Sequence, residues 1–194
     1  QTQGQQLIEA LGRAAQLQLA HGVPASVMPL SLWHSASLGL DVWLSALAYG
    51  ASQIVVLATD EEAPQYLEAL EAQMAQAQAL LSGLGFVAAD RPVLQLVRAN
   101  DAMSLDRELQ RVTAAAPRWH AVVPAASFAV TADKRSTLAL VVDHLLAHAP
   151  LARQSDAPEA LPLPAAGALW GTVEIQTDRC TLCMSCVSAC PAQA

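Results

Sequence analysis

Positive charge is the scarcest commodity in this sequence. Ten Lys and Arg face seventeen Asp and Glu, Lys134 is the only lysine, and the net charge is -7. A nucleic-acid-binding face needs clustered cations to neutralise phosphates, and none can be assembled here. Aromatic residues make up only 4%, so any core must be built from Ala, Leu and Val. Charged residues amount to 14% against 54% hydrophobic, which excludes a disordered chain and demands a large core. No apolar run comes near the roughly 18 residues of a membrane span. Neither G-x-G-x-x-G nor a Walker sequence occurs. Gly83-Leu84-Gly85 follows a helical pattern instead of joining strand to helix, so it reads as a turn and not as a phosphate cradle. No cysteine precedes position 180.

What is present first is an alternation of helical and strand patterns. Apolar residues at helical spacing predict a helix over 5–20, ended by His21-Gly22. A short apolar run, 26–32, has strand length, with Pro29 arguing for an edge or a bulge. Ser35 or Ser37 is placed to cap a helix over 38–49, closed by Gly50. Residues 53–59 (QIVVLAT) are continuous and β-branched, as in a parallel strand buried on both faces. Asp60, Glu61 and Glu62 with Pro64 open a third helix running to about Ser82. Residues 93–97 predict a strand, 101–115 a helix capped by Asp101 or Ser104, and 119–123 another strand, with a further short one at 128–131. Asp133 caps a last helix over 134–148. This order predicts an α/β domain over 1–148 with a doubly wound, mostly parallel sheet. Because a helix comes first, the pattern also implies a strand upstream.

Between 149 and 170 the periodicity vanishes. Pro150, Pro158, Pro162 and Pro164 point to an extended, semi-stiff linker. Residues 171–177 alternate Val173 and Ile175 with polar neighbours, as in a short strand at the head of a last segment, 171–194.

Candidate sites within the α/β region are few. His34 follows a predicted strand end, where open α/β sheets place their ligand crevice, with Trp33 as a wall and Asp41 within two helical turns. A polar loop position for His34 and a solvated helix position for Asp41 are the preferred explanation, and capping explains Ser35 and Ser37 fully. His144 and His148 stand four apart like a metal pair, but no third ligand adjoins them, and histidine near a helix C-terminus is favoured by the dipole alone. The acids at 60–62 read as a helix-start cluster in preference to a catalytic pair.

The chemistry-bearing stretch is Cys180-Thr181-Leu182-Cys183-Met184-Ser185-Cys186-Val187-Ser188-Ala189-Cys190-Pro191, which holds all four cysteines. Its spacing is C-x2-C-x2-C-x3-C-P, the run that binds [4Fe–4S] clusters in bacterial ferredoxins. Three thiolates at two-residue gaps wrap one face of a cluster when small residues let the chain loop tightly. Zinc and two disulfides are the alternatives; zinc sites usually add a distant second pair, and disulfides belong to oxidised, Cys-rich secreted chains. Cysteines confined to one motif suggest a reducing, cytoplasmic setting. In two-cluster ferredoxins, which this run resembles, the fourth cysteine serves the other cluster. That resemblance assigns Cys180, Cys183 and Cys186 to a first cluster and Cys190 to a second, and it implies the first half of a ferredoxin-like module whose remainder lies beyond Ala194.

With 31–50, 133–146 and the cysteine run in view, the chain resembles the central part of a proteobacterial multi-domain [4Fe–4S] ferredoxin-type protein, with clusters on both sides of an α/β domain. That domain resembles the delta subunit of methyl-viologen-reducing hydrogenase, which links hydrogenase to heterodisulfide reductase. Those subunits use cysteines within the α/β domain, and this chain has none there. The resemblance implies an iron–sulfur electron-transfer protein that meets a redox partner or enzyme complex, with no catalytic residues of its own. Leu182, Met184 and Val187 are then the expected apolar cover for the cluster. A non-catalytic scaffold domain of a redox complex and a small-ligand enzyme centred on His34 are the competing expectations.

Overall fold

The computed structural model describes residues 3–88, 90–115, 121–151, 160–171 and 174–189. Its helices are α1 (Gln3–Gln16), α2 (Leu40–Ala48), α3 (Pro64–Gly83), α4 (Ala102–Ala115), α5 (Lys134–His148) and a short α6 (Ser185–Ala189). Strands β1 (Ile54–Ala58) and β2 (Leu94–Arg98) pair in parallel, with Ile54 opposite Leu94 and Ala58 opposite Arg98. Parallel pairing requires a crossover, and α3 supplies it.

The period-2 alternation of the strands sorts their side chains onto two cores. Val56, Ala58 and Leu94 join the larger core with Leu44 and Leu47 of α2, Leu70, Met74 and Leu81 of α3, and Val141 and Leu145 of α5. Leu57 points the other way, against Leu7 and Leu11 of α1 and Leu105 and Leu109 of α4. Helices therefore cover both faces of the sheet. Trp43, the largest fully buried side chain, compensates within the larger core for the scarcity of aromatics.

Several local signals work as their chemistry predicts. Asp101 Oδ1 accepts from the amides of Met103 (2.9 Å) and Ser104 (2.8 Å) at the start of α4, and Asp133 Oδ2 accepts from Ser136 N–H (2.7 Å) at the start of α5. Gly50 and Gly85, at φ +108° and +85°, sit just past α2 and α3. Each starts a paired closure: Gly50 and Ala51 donate to Leu47 and Ala46, and Gly85 and Phe86 donate to Ser82 and Leu81.

Other expectations are corrected. The first helix stops at Gln16 instead of Ala20, because Gln18 takes φ 59° and Leu19 N–H closes back on Ala14. Leu17 and Leu19 consequently lie exposed. The run 26–32 forms no strand; it is interrupted by proline, and Met28 and Leu30 are 80% and 75% exposed. Neither Ser35 nor Ser37 caps α2: the N-cap is Gly39, with no side-chain cap bond, while Ser37 Oγ donates to His34 O within its own 3-10 turn. The acids at 60–62 precede the helix, whose first residue is Pro64, and Glu62 Oε2 accepts instead from Thr59 N–H (2.6 Å) and its hydroxyl (2.9 Å).

Of the predicted strand 119–123, the first two residues lie outside the described ones and 121–123 are not strand. Residues 128–131 are not strand either; Ala126 N–H donates to Ala48 O at the last residue of α2, and Phe128 packs between the rings of Tyr49 and His144. The sheet thus has two strands among the described residues. Thr172 and Val173 of the expected strand 171–177 lie outside the described residues; 174–176 are irregular and a 3-10 turn, Thr177–Arg179, follows.

Candidate metal centre

The cysteine segment begins where that 3-10 turn ends, with Cys180 N–H donating to Thr177 O at 3.2 Å. Leu182 and Met184 then both take left-handed backbone, φ 54° and 60°. Left-handed conformations cost an ordinary residue on the order of 1–2 kcal/mol, and here they flank Cys183 on both sides. They coil the chain around that residue where an extended run would have carried it straight past.

Cys180, Cys183 and Cys186 are free and exposed. The Cys183 thiol donates to Ser185 Oγ at 3.3 Å. Its pKa is lowered to about 7, first by the Ser185 hydroxyl, then by the Ser185 amide and the Thr181 side chain. Thiolate is the form that binds metal, so this environment prepares a ligand. Among the described residues no three His, Cys, Asp or Glu side chains are gathered as a metal-holding group; metal–ligand bonds themselves draw such loops together. Cys190 lies outside the described residues. The donor set fits an iron–sulfur cluster: free thiols at two-residue gaps, on a tightly coiled loop, one of them already acidic. Leu182, Met184 and Val187 are exposed beside the thiols, at 80%, 59% and 47%.

The residues expected around a ligand crevice do not converge. Trp33 is 95% exposed and walls nothing. His34 packs edge-on against Tyr66 at 5.2 Å. Ser35 is buried and its hydroxyl has no hydrogen-bond partner among the described residues. Asp41 instead lines an open groove of about 300 Å³ between α2 and the start of α5, with Ser45, Tyr49, Val130 and Thr137. The hydroxyls of that groove are engaged internally: Ser45 donates to Asp41 O, Tyr49 to Phe128 O and Thr137 to Thr131 O. His144 and His148 stack at 4.3 Å, but each has a ring nitrogen bonded to a backbone carbonyl, of Pro124 and of His144. They serve packing.

Two buried polar residues carried no sequence signal. Asp106 holds the loop after α1 through the amides of His21 and Gly22 and the His21 ring. Gln76, fully buried on α3, donates to the carbonyls of Pro164 and Ala166. Asp106 sits beside Arg107 and Glu108 and reads as one more solvated helix charge, Gln76 is one of several glutamines on α3, and each has its partner more than 80 residues away.

In comparisons with known proteins, the profile of the 4Fe-4S binding domain family matches residues 172–194. No curated protein and no solved structure matches the chain. No helix among the described residues is long and apolar enough to cross a membrane. The matched stretch contains the whole cysteine run and marks it as a ferredoxin-like segment whose cofactor is a [4Fe–4S] cluster.

Proposed function

We propose that this chain is an electron-transfer module in which Cys180, Cys183 and Cys186 hold one [4Fe–4S] cluster and Cys190 serves a second, beside an α/β domain that docks a redox partner. The observation that carries the reading is the C-x2-C-x2-C-x3-C-P run inside the stretch matched by the 4Fe-4S binding family. When bound, a cubane cluster carries single electrons without bonding to substrate, so no acid, base or nucleophile is required of the chain. Its potential responds to hydrogen bonds at sulfur and to solvent access. Ser185 is the side chain placed to tune the Cys183 sulfur, and Leu182, Met184 and Val187 are placed to limit water around it. Free thiols need a reducing compartment, which favours the cytoplasm. In this reading 1–148 is the docking domain, organised as part of a doubly wound sheet; helices on both faces of the β1–β2 pair support it. A purely structural scaffold is the second reading, favoured by His34 packing on Tyr66 while Asp41 lines a separate groove.

Anaerobic reconstitution with iron and sulfide tests the proposal. A brown protein with iron and sulfide in equal amounts and an EPR signal on reduction is expected, and Cys183→Ser abolishes both. Cys190→Ser keeps the first cluster. A colourless protein that takes zinc and no iron sinks the reading, and complete loss of iron in Cys190→Ser makes Cys190 a ligand of that same cluster.

A further inference from the structure

The proline-rich stretch before the cysteine segment reads as a linker in sequence, yet residues 161–167 lie along α3. Leu161 and Leu163 are half-buried and pack on the larger core, while Pro162 and Pro164 between them are exposed. That alternation is the period of an extended chain, and proline suits it because an unpaired edge needs no donor. Leu161 sits 3.1 Å from where a Cβ on Gly83 would be. Six residues later, Gly167, at φ +71°, presses so closely on α3 that its own Cβ would lie 3.2 Å from Ala72 Cβ and 3.3 Å from the Ala72 carbonyl carbon. Between these points Gln76 Nε2 donates to the carbonyls of Pro164 and, at 2.8 Å, Ala166. Gln76 Oε1 has no partner among the described residues, so the two carbonyls are what satisfy this buried amide, and a displaced stretch would leave it bare.

The span agrees with this geometry. From Gly83 back to Ala72 the helix rises about 16 Å at 1.5 Å per residue, a distance that six residues cover only when nearly extended. The stretch therefore runs antiparallel to α3. Since α3 leaves the carboxyl end of β1, the antiparallel path carries the chain back toward that end of the sheet.

We infer that residues 161–167 are a strap, latched by Gln76, that delivers the cysteine segment to the carboxyl edge of the parallel strands and holds it there. Open α/β sheets receive their ligands at that edge, so a partner docked on the α/β domain meets the cluster at a set distance. Gln76 is then a positioning residue. The consequence for electron transfer rests on the function proposed above; the strap itself does not.

Both tests use the full chain without added metal, so a failure to reconstitute a cluster counts against the electron-transfer reading and leaves the strap untouched. The first is elastase digestion, followed by mass spectrometry at Ala165, Ala166 and Ala168. We expect cutting there to be at least tenfold faster in Gln76→Met, which keeps the volume and removes the donors, and in Gly167→Val, which pushes a side chain into Ala72. Gly167→Val changes only the strap, so a circular-dichroism melt shows whether the core stays folded, and it decides the matter alone if Gln76→Met does not fold. Equal cutting rates in wild type and Gly167→Val overturn the strap. The second test places p-benzoylphenylalanine at Tyr66, near the start of α3, or at Phe86, beyond its end. Crosslinks from Tyr66 into 168–179, and none from Phe86 into that stretch, are expected; the reverse pattern overturns the direction of travel.

Discussion

Asp106 on α4 places Oδ2 2.9 Å from Nδ1 of His21, although 85 residues separate the two. The carboxylate is nearly buried, at 5% exposure, whereas the histidine side chain is 77% exposed. Burial by itself raises the carboxyl pKa, but the His21 ring and the amides of His21 and Gly22 outweigh it and hold Asp106 below the usual carboxylate range. The contact pins the loop that follows α1 onto α4, closing the smaller core.

This pairing makes stability depend on acid. A carboxyl whose folded pKa is depressed contributes stability that is fully present above its unfolded value, near ~3.9, and is lost as pH falls through the folded value. Asp106→Ala strands two amides and costs about 1–3 kcal/mol at neutral pH. In urea titrations the gap between wild type and variant should narrow below pH 4. A gap that is constant from pH 7 to pH 3 refutes the account.

The Cys183 thiol has its pKa lowered to about 7 because the Ser185 hydroxyl and amide can donate to the thiolate once the proton has left. Ser185→Ala moves the midpoint up toward the ordinary ~8.5, which lowers the thiolate fraction at pH 7 from about half to a few per cent. Alkylation of Cys183 in the metal-free chain, followed by mass spectrometry at pH 7, should slow roughly tenfold. An unchanged rate rules out the serine.

Leu145 is fully buried where α5 packs on α2. Leu145→Ala removes a core side chain and should cost about 2–5 kcal/mol. If the cysteine segment holds its cluster with its own thiols, iron and sulfide per folded molecule stay at the wild-type value. Loss of iron from folded Leu145→Ala chains would mean that the α/β core supplies part of the cluster site.

His34 contacts Tyr66 and is not part of the groove at Asp41. His34→Ala should leave cluster reduction and reoxidation rates within twofold of wild type. A general acid or base is typically worth about 100-fold or more, so a loss of that size with the clusters intact would restore the enzyme reading.

Much of the local structure was legible because its causes are local. Asp101 and Asp133 cap helices through amides two or three residues away, Pro64 occupies a first turn that needs no donor, and Gly50 and Gly85 take positive φ at no steric cost. Gln18 takes the same conformation without being glycine, so the early end of α1 had no signal. The run 26–32 shows the opposite failure: its composition suits a strand, but composition cannot tell whether a neighbouring strand exists to pair with it.

The cysteine spacing by itself determined the cofactor, because a cubane cluster selects thiolates through distances set along a few consecutive residues. The amino-acid pattern likewise determined β1 and β2, by their short apolar runs, and α3 between them, by Pro64 in its first turn and Gly85 past its end. Only the tertiary structure decided that the sheet is flanked on both faces, that Asp106 holds His21, and that residues 161–167 lie along α3 with Gln76 bonded to their carbonyls. Each of these depends on burial beside a partner distant in sequence, 85 residues for Asp106 and 90 for Gln76. A buried polar side chain looks the same in sequence as a solvated one until the chain places a donor or an acceptor against it.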